Sequence, residues 1–114
     1  MKNTVVIKKN HEFKTLFSKG KFYYGEIVHM YIKENNLGYN KFGIAISKKQ
    51  GKAVYRNRIK RLIRENYKNL ENNIKKGISI IVVINRKKEI KEISYKDVEN
   101  NFVKTLKQAN LLEN

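Results

Sequence analysis

The residues most capable of chemistry in this sequence lie at positions 48–64, which read KKQGKAVYRNRIKRLIR. Eight of these seventeen positions are Lys or Arg, and none is acidic. A guanidinium matches the two-oxygen geometry of a phosphate, and an ammonium binds phosphate as a point charge. Asn57 adds an amide that can hydrogen-bond to a sugar, a base or an ordered water. This combination of residue types indicates that the segment binds a polyanion.

The alternative for the same segment is a solvated helix face that only keeps the protein in solution. Such faces usually pair each Lys or Arg with an acid four residues away. Here the first acid after the run is Glu65, so most of these cations lack an intrahelical partner. The sequence therefore favours binding of an external anion over a merely solvated helix face. The entry segment SKKQGK, residues 47–52, is typical of a phosphate-holding turn before a helix, although it lacks the spacing of a P-loop.

Three aromatic residues are candidates for a second kind of contact. Phe13 and Phe17 are one helical turn apart, and Tyr31 lies in a predicted strand. All three fit an ordinary hydrophobic core. On a partly covered sheet face, however, they would line a cleft in which unpaired bases stack on the rings. The residues alone leave both interpretations open.

The sequence predicts no catalytic residue in the protein itself. His11 and His29 lie in different predicted elements, and neither has a neighbouring nucleophile. We expect His11 to be exposed and His29 to be buried and hydrogen-bonded. The acidic residues are scattered, which argues against a two-metal site, and cysteine is absent, which excludes disulfides and thiolate ligands. We therefore expect no metal bound by the protein.

Positive charge dominates the whole chain of 114 residues. There are 26 Lys and Arg against 10 Asp and Glu, which gives a formal net charge of +16. A polyanion would offset the self-repulsion, and nucleic acid is the commonest one. An anionic membrane surface is the other candidate, but no segment approaches a spanning length. No apolar signal segment follows Met1, so we expect a cytoplasmic protein with a single domain over residues 1–114.

The elements that must position these residues can be predicted from periodicity. Apolar spacing predicts a helix over residues 10–18, capped by Asn10 and ended by Gly20. Residues 22–33 predict one strand with bulky side chains on both faces, and residues 41–47 predict a second. The polar turn between them predicts that the two strands form an antiparallel hairpin.

The basic run is predicted to lie on a helix over residues 53–69 that buries an apolar stripe and exposes its cations. Residues 78–84, ISIIVVI, are typical of a strand buried on both faces. Ser94 and Asp97 have the spacing of a capping box that opens a last helix. The order α-β-β-α-β-α predicts an α+β fold, an α-β sandwich with helices packed on a mixed sheet.

The segment FGIAISKKQGKAVYRNRIKRLIRE, residues 42–65, closely resembles the signature of the bacterial ribonuclease P protein component, whose hallmark is RNRIKRLIRE. The segments IKKNHEFKTLFSKG, ISIIVVINR and SYKDVENNFVKTL also fit this family, so the resemblance covers essentially the whole chain. It implies a left-handed β-α-β crossover and a fold like domain 2 of ribosomal protein S5. Such a crossover is an exception to the right-handed rule.

The resemblance also implies a function, as a protein subunit that works with a catalytic RNA to remove the 5′ leader of precursor tRNA. The RNA subunit would carry the catalytic centre and require Mg²⁺, while the protein would bind no cofactor, membrane or small-molecule substrate. The residues matched to RNA-subunit binding are Lys48, Lys49, Lys52, Arg56, Asn57, Arg58, Lys60, Arg61 and Arg64. Those matched to leader binding are Phe13, Phe17 and Tyr31.

Two other functions stay open at this point. A ribosomal-type structural RNA-binding protein would share the charge and the fold class but would need no leader cleft. An autonomous nuclease would need catalytic residues that the sequence does not offer. Residues 35–40 and 86–93 match no part of the family pattern, and we assign them no role.

Overall fold

The computed structural model describes residues 1–85 and 89–113. The helices and strands in this part of the chain, in order, are β1 (Thr4–Val6), α1 (Asn10–Lys19), β2 (Lys21–Tyr23), β3 (Val28–Glu34), β4 (Asn40–Ala45), α2 (Ala53–Leu70), β5 (Ile78–Ile84) and α3 (Tyr95–Gln108). Short 3-10 helices lie before α2, after α2 and before α3. The α+β class with a mixed sheet is therefore confirmed.

Strand β5 is the centre of the sheet, whose strand order is β1-β4-β5-β3-β2. It pairs in parallel with β4 and antiparallel with β3. Ile80 and Val82 join the main core beneath α2 and α3, whereas Ile81 and Val83 pack in a smaller cluster beneath α1. Alternate side chains thus enter two cores, which explains why the run ISIIVVI is apolar throughout.

The predicted hairpin of β3 and β4 is wrong, because β5 lies between these two strands. Two strands on either side of a third are about 10 Å apart, and a five-residue loop spans that distance easily. This loop crosses the start of β5, where the Asn35 N–H donates to the Gly77 carbonyl oxygen at 2.9 Å. Gly77 has φ of 83°, and a side chain there would also press on the Leu37 carbonyl oxygen.

The single strand predicted over residues 22–33 is two strands, because the chain turns at Gly25. Strands β2 and β3 pair antiparallel, and Phe22 stands opposite Tyr31. Strand β1 was not predicted at all, since its three residues are too few to show a period. The observed order is consequently β-α-β-β-β-α-β-α rather than α-β-β-α-β-α.

A buried carboxylate, Glu71, holds β1 in place. It accepts hydrogen bonds from the backbone N–H groups of Lys2 and Asn3, at 3.1 and 3.3 Å, and from the Thr4 hydroxyl. Burial by itself raises the pKa of Glu71, but these hydrogen bonds to its charged form outweigh burial and hold the pKa below its usual value. The ionised carboxylate is therefore the form that stabilises this end of the fold.

The three predicted helices are confirmed, with small differences at their ends. Gly20 ends α1 by donating its N–H to the Leu16 carbonyl oxygen at 2.9 Å, as predicted. The predicted cap at Asn10 is wrong, because Asn10 is already helical and the N-cap position is Lys9, which makes no side-chain cap. The capping box of Ser94 and Asp97 is confirmed. No helix of the described residues has the length and hydropathy of a membrane span.

Helix α2 docks by one side, as its periodicity predicts. Its buried apolar residues are Ile59, Leu62, Ile63 and Tyr67. This helix also connects the parallel neighbours β4 and β5, so the fold contains a β-α-β crossover. The left hand of that crossover and the likeness to domain 2 of ribosomal protein S5 stay predictions.

Candidate nucleic-acid interface

The loop that enters α2 is held in one shape by its own side chains. Ser47 and Gln50 form a capping box around a short 3-10 helix. Gln50 Nε2 also donates to the Ile84 carbonyl oxygen at 3.4 Å, which ties the loop to the end of β5. Lys48 and Lys49 are exposed on this turn. Their ammonium groups thus project into solvent from a fixed backbone.

Arg56 holds the loop against the first turn of α2. Its Nη1 donates to the carbonyl oxygen of Lys48 at 3.2 Å and to that of Gly51. Gly51 has φ of 127°, a conformation that favours glycine. Lys52 follows as the exposed N-cap residue of α2 and makes no side-chain cap. One nitrogen of the Arg56 guanidinium therefore positions the loop, a role that the sequence did not indicate.

The outer face of α2 is open and cationic. Asn57, Arg61 and Arg64 are exposed at positions i, i+4 and i+7, and Lys60 is half-buried beside them. Within the described residues, the one salt bridge made by the predicted RNA-binding cations joins Arg61 to Glu65, at 4.0 Å and exposed. Such a pair contributes little, about 0–1 kcal/mol. The guanidinium groups are therefore not neutralised by acidic neighbours.

Arg58 differs from its neighbours on the helix. It is half-buried, and its Nη1 is buried with no hydrogen-bond partner among the residues that the structure describes. Three turns further on, Asn69 lies on the same face of α2 and donates to the Tyr95 hydroxyl of α3. Arg58 thus lies on the side of α2 that packs toward α3, rather than on the outer face.

A groove of about 700 Å³ runs between α1 and the loop that enters α2. Its lining includes Phe17, Tyr31, Ser47 and Gln50. The Phe17 and Tyr31 rings meet edge to face with centroids 5.0 Å apart. Phe13 lies behind Phe17, half-buried, and its centroid is 6.4 Å from the Phe17 ring. Phe17 and Tyr31 line the groove, and Phe13 supports them.

The structure adds three rings that the sequence interpretation missed. Phe22 contacts both Tyr31 and His29, with centroids 5.1 Å apart in each pair, and Tyr24 contacts His29 at 4.9 Å. Merging β2 and β3 into one strand hid them, since only the turn at Gly25 brings Phe22 beside Tyr31. A glycine directly after three consecutive aromatic residues was the signal that could have revealed the break between the two strands.

The prediction for His11 is confirmed, whereas His29 is hydrogen-bonded as predicted but only half-buried rather than buried. His11 is exposed. His29 is half-buried, its Nδ1 accepts the Gly25 N–H at 3.1 Å, and burial lowers its pKa. Among residues 1–85 and 89–113, no group of three or more His, Asp or Glu side chains is placed to hold a metal ion.

The basic surface and the aromatic groove share one loop. Ser47 and Gln50 line the groove, while Lys48 and Lys49 between them face solvent. A polyanion bound to these two lysines would therefore lie beside anything held against the aromatic rings.

Comparisons with known proteins identify the family of the chain. The family model described as Ribonuclease P matches residues 1–110. A ribonuclease P protein component of Thermoanaerobacter sp. (strain X514) is 49% identical over 79 residues, covering 69% of this chain and 68% of the relative. The chain belongs to the ribonuclease P protein family. A relative of the same description from Clostridium botulinum (strain Langeland / NCTC 10281 / Type F) is 44% identical over 78 residues, covering 68% of this chain and 70% of the relative.

Solved structures of ribonuclease P proteins have the same fold. The Staphylococcus aureus protein matches with a TM-score of 0.83 and 33% identity, over 95% of this chain and 97% of that one. The Thermotoga maritima protein matches with a TM-score of 0.82 and 27% identity, over 91% and 96%. The resemblance drawn from the motif is thus confirmed.

Membership of the ribonuclease P family defines the general role of the chain. It is a subunit of a ribonucleoprotein endoribonuclease that acts in tRNA 5′ processing. Its partners are accordingly the ribonuclease P RNA and precursor tRNA.

Proposed function

We propose that two adjacent surfaces of the protein bind the two RNA partners. The basic surface binds the RNA subunit and consists of Lys48, Lys49, Lys52, Arg56, Asn57, Arg58, Lys60, Arg61 and Arg64. The aromatic groove binds the 5′ leader of precursor tRNA through Phe17 and Tyr31, with Phe13 supporting them from behind. The observation that carries this proposal is the shared loop, which faces the groove with Ser47 and Gln50 and solvent with two lysines.

Within the basic surface the residues divide into two roles. The exposed cations on the outer face of α2 and on its entry loop neutralise phosphates. Arg56 and Arg58 are positioning residues, because the first binds loop carbonyls and the second is partly buried toward α3. Phosphate contacts of this kind give affinity and register rather than base recognition.

The groove suits a leader of variable sequence. Every base has an aromatic face, so stacking on Phe17 and Tyr31 tolerates any nucleotide. Phe13 acts from behind by supporting the Phe17 ring. Binding of the leader would favour precursor over mature tRNA, since only the precursor has a leader.

Bond cleavage in this proposal belongs to the RNA subunit, which requires Mg²⁺. The protein contributes no catalytic residue and holds no metal or small-molecule cofactor of its own. It works as one domain in the cytoplasm.

Reconstitution tests the proposal directly. Adding the protein to a bacterial ribonuclease P RNA should restore leader removal at low Mg²⁺, where the RNA alone is slow, and the protein alone should not cleave. Leader removal by the protein without RNA would contradict the division of labour. A failure to stimulate any bacterial ribonuclease P RNA would contradict the proposed binding surfaces.

A further inference from the structure

The aromatic rings form a row that continues beyond the groove. In order along the row they are Phe17, Tyr31, Phe22, His29 and Tyr24, and successive centroids are 5.0, 5.1, 5.1 and 4.9 Å apart. The first, second and fourth of these residues line the groove. The other two lie on and just after β2, at the edge of the sheet.

Exposed and half-buried rings alternate along this row. Phe17, Phe22 and Tyr24 are 42%, 47% and 63% exposed. Tyr31 and His29 are half-buried, and each touches two of the exposed rings. The half-buried rings therefore connect the three exposed rings and support them from below.

The exposed rings outside the groove have no evident packing role. Neither Phe22 nor Tyr24 belongs to either hydrophobic cluster, whereas Tyr23 between them packs against the main core. Contiguous exposed apolar patches mark binding surfaces, whereas exposed apolar residues scattered singly do not. On a chain of net charge +16, the ligand that suits exposed aromatic faces is single-stranded nucleic acid.

We infer that Phe22 and Tyr24 are two further base-stacking positions, which extend the leader track from the groove to the edge strand β2. The inference rests on the proposed leader-binding role of the groove. It assigns the added positions to leader nucleotides beyond those held at Phe17 and Tyr31. Because Tyr24 is the last ring of the row, a short leader does not reach it.

The test is equilibrium binding of the reconstituted holoenzyme to precursor tRNAs whose leaders range from none to about ten nucleotides. Phe22→Ala and Tyr24→Ala should each lower affinity for long leaders by about five- to tenfold, near the lower end for loss of one stacked base. Affinity for leaderless tRNA should not change. Tyr24→Phe should retain wild-type affinity, whereas Tyr24→Leu, which is apolar but has no ring, should not.

Tyr39→Ala is the matched control, because Tyr39 is also exposed, at 38%, and lies outside the row. It should bind every leader like the wild type. A wild-type holoenzyme without any leader-dependent gain in affinity would overturn the proposed function itself. If the wild type gains affinity with leader length and both Phe22→Ala and Tyr24→Ala retain that gain, only the extended track is overturned. A different outcome is self-association of the free protein. If Tyr24→Ala abolishes that self-association and leaves leader binding intact, the extended track is overturned and this face binds a second copy of the chain.

Discussion

Charge removal on the outer face of α2 should change the salt dependence of RNA-subunit binding by a calculable amount. Six of the predicted cations neither bind loop carbonyls like Arg56 nor carry a buried guanidinium nitrogen like Arg58. These six are Lys48, Lys49, Lys52, Lys60, Arg61 and Arg64. If each neutralises one phosphate, the slope of log K against log salt is about −5.4, at roughly 0.9 per contact. Affinity then falls about two-thousandfold between 50 and 200 mM salt.

The double variant Arg61→Ala/Arg64→Ala removes two of these contacts. The slope should become about −3.6, and the fall in affinity over the same range about 150-fold. Both side chains are exposed, and the Arg61–Glu65 pair is weak, so the fold should survive. The assay is equilibrium binding of labelled RNA subunit at several salt concentrations, with circular dichroism to confirm folding.

Lys75→Ala/Lys76→Ala is the matched control, since it also removes two positive charges from exposed positions. These lysines precede β5, whereas the entry loop of α2 contacts the end of that strand, about 20 Å away. The control should keep a slope near −5.4. The reasoning is refuted if the Arg61/Arg64 variant keeps the wild-type slope. It is also refuted if the control lowers the slope equally, because the slope would then report total charge rather than contact.

Three further predictions concern the groove, the acid stability and the free protein. Phe17→Ala should lower the preference for leader-bearing over leaderless tRNA, and its melting temperature should fall only slightly because Phe17 is 42% exposed; unfolding of this variant would instead support a core role. Glu71→Gln should lower stability by about 1–2 kcal/mol, since the charge-assisted hydrogen bonds from Lys2, Asn3 and Thr4 are lost. Because the pKa of Glu71 is lower in the folded protein, its stabilisation is present above the unfolded pKa of about 4.3 and is lost as pH falls through the folded pKa. The melting temperatures of wild type and variant should thus converge as the pH is lowered from 7 to 3. A difference in melting temperature that stays constant over this range would contradict the prediction. Sulfate should raise the melting temperature of the free protein more than chloride of equal ionic strength, because the open cations bind it in the native state; equal responses would show that no such site exists.

Local patterns were enough to predict the helices, the central strand and the cationic segment. The run ISIIVVI has no polar position, and such a strand is stable only with both faces covered. The apolar stripe of α2 has the period of a helix, so its buried side and its exposed cations follow from spacing alone. The family resemblance then supplied the function, because the order of residues 56–65 is specific.

Only the tertiary structure decided which strands pair and which side chains meet. A turn of polar residues is compatible both with a hairpin and with a loop over a third strand, so the insertion of β5 between β3 and β4 leaves no local trace. The different roles of Arg56 and Arg58 depend on a loop backbone and a neighbouring helix, which residue spacing does not specify. The aromatic row likewise brings together α1, β2 and β3, and ring contacts between elements arise only when the sheet places those elements side by side.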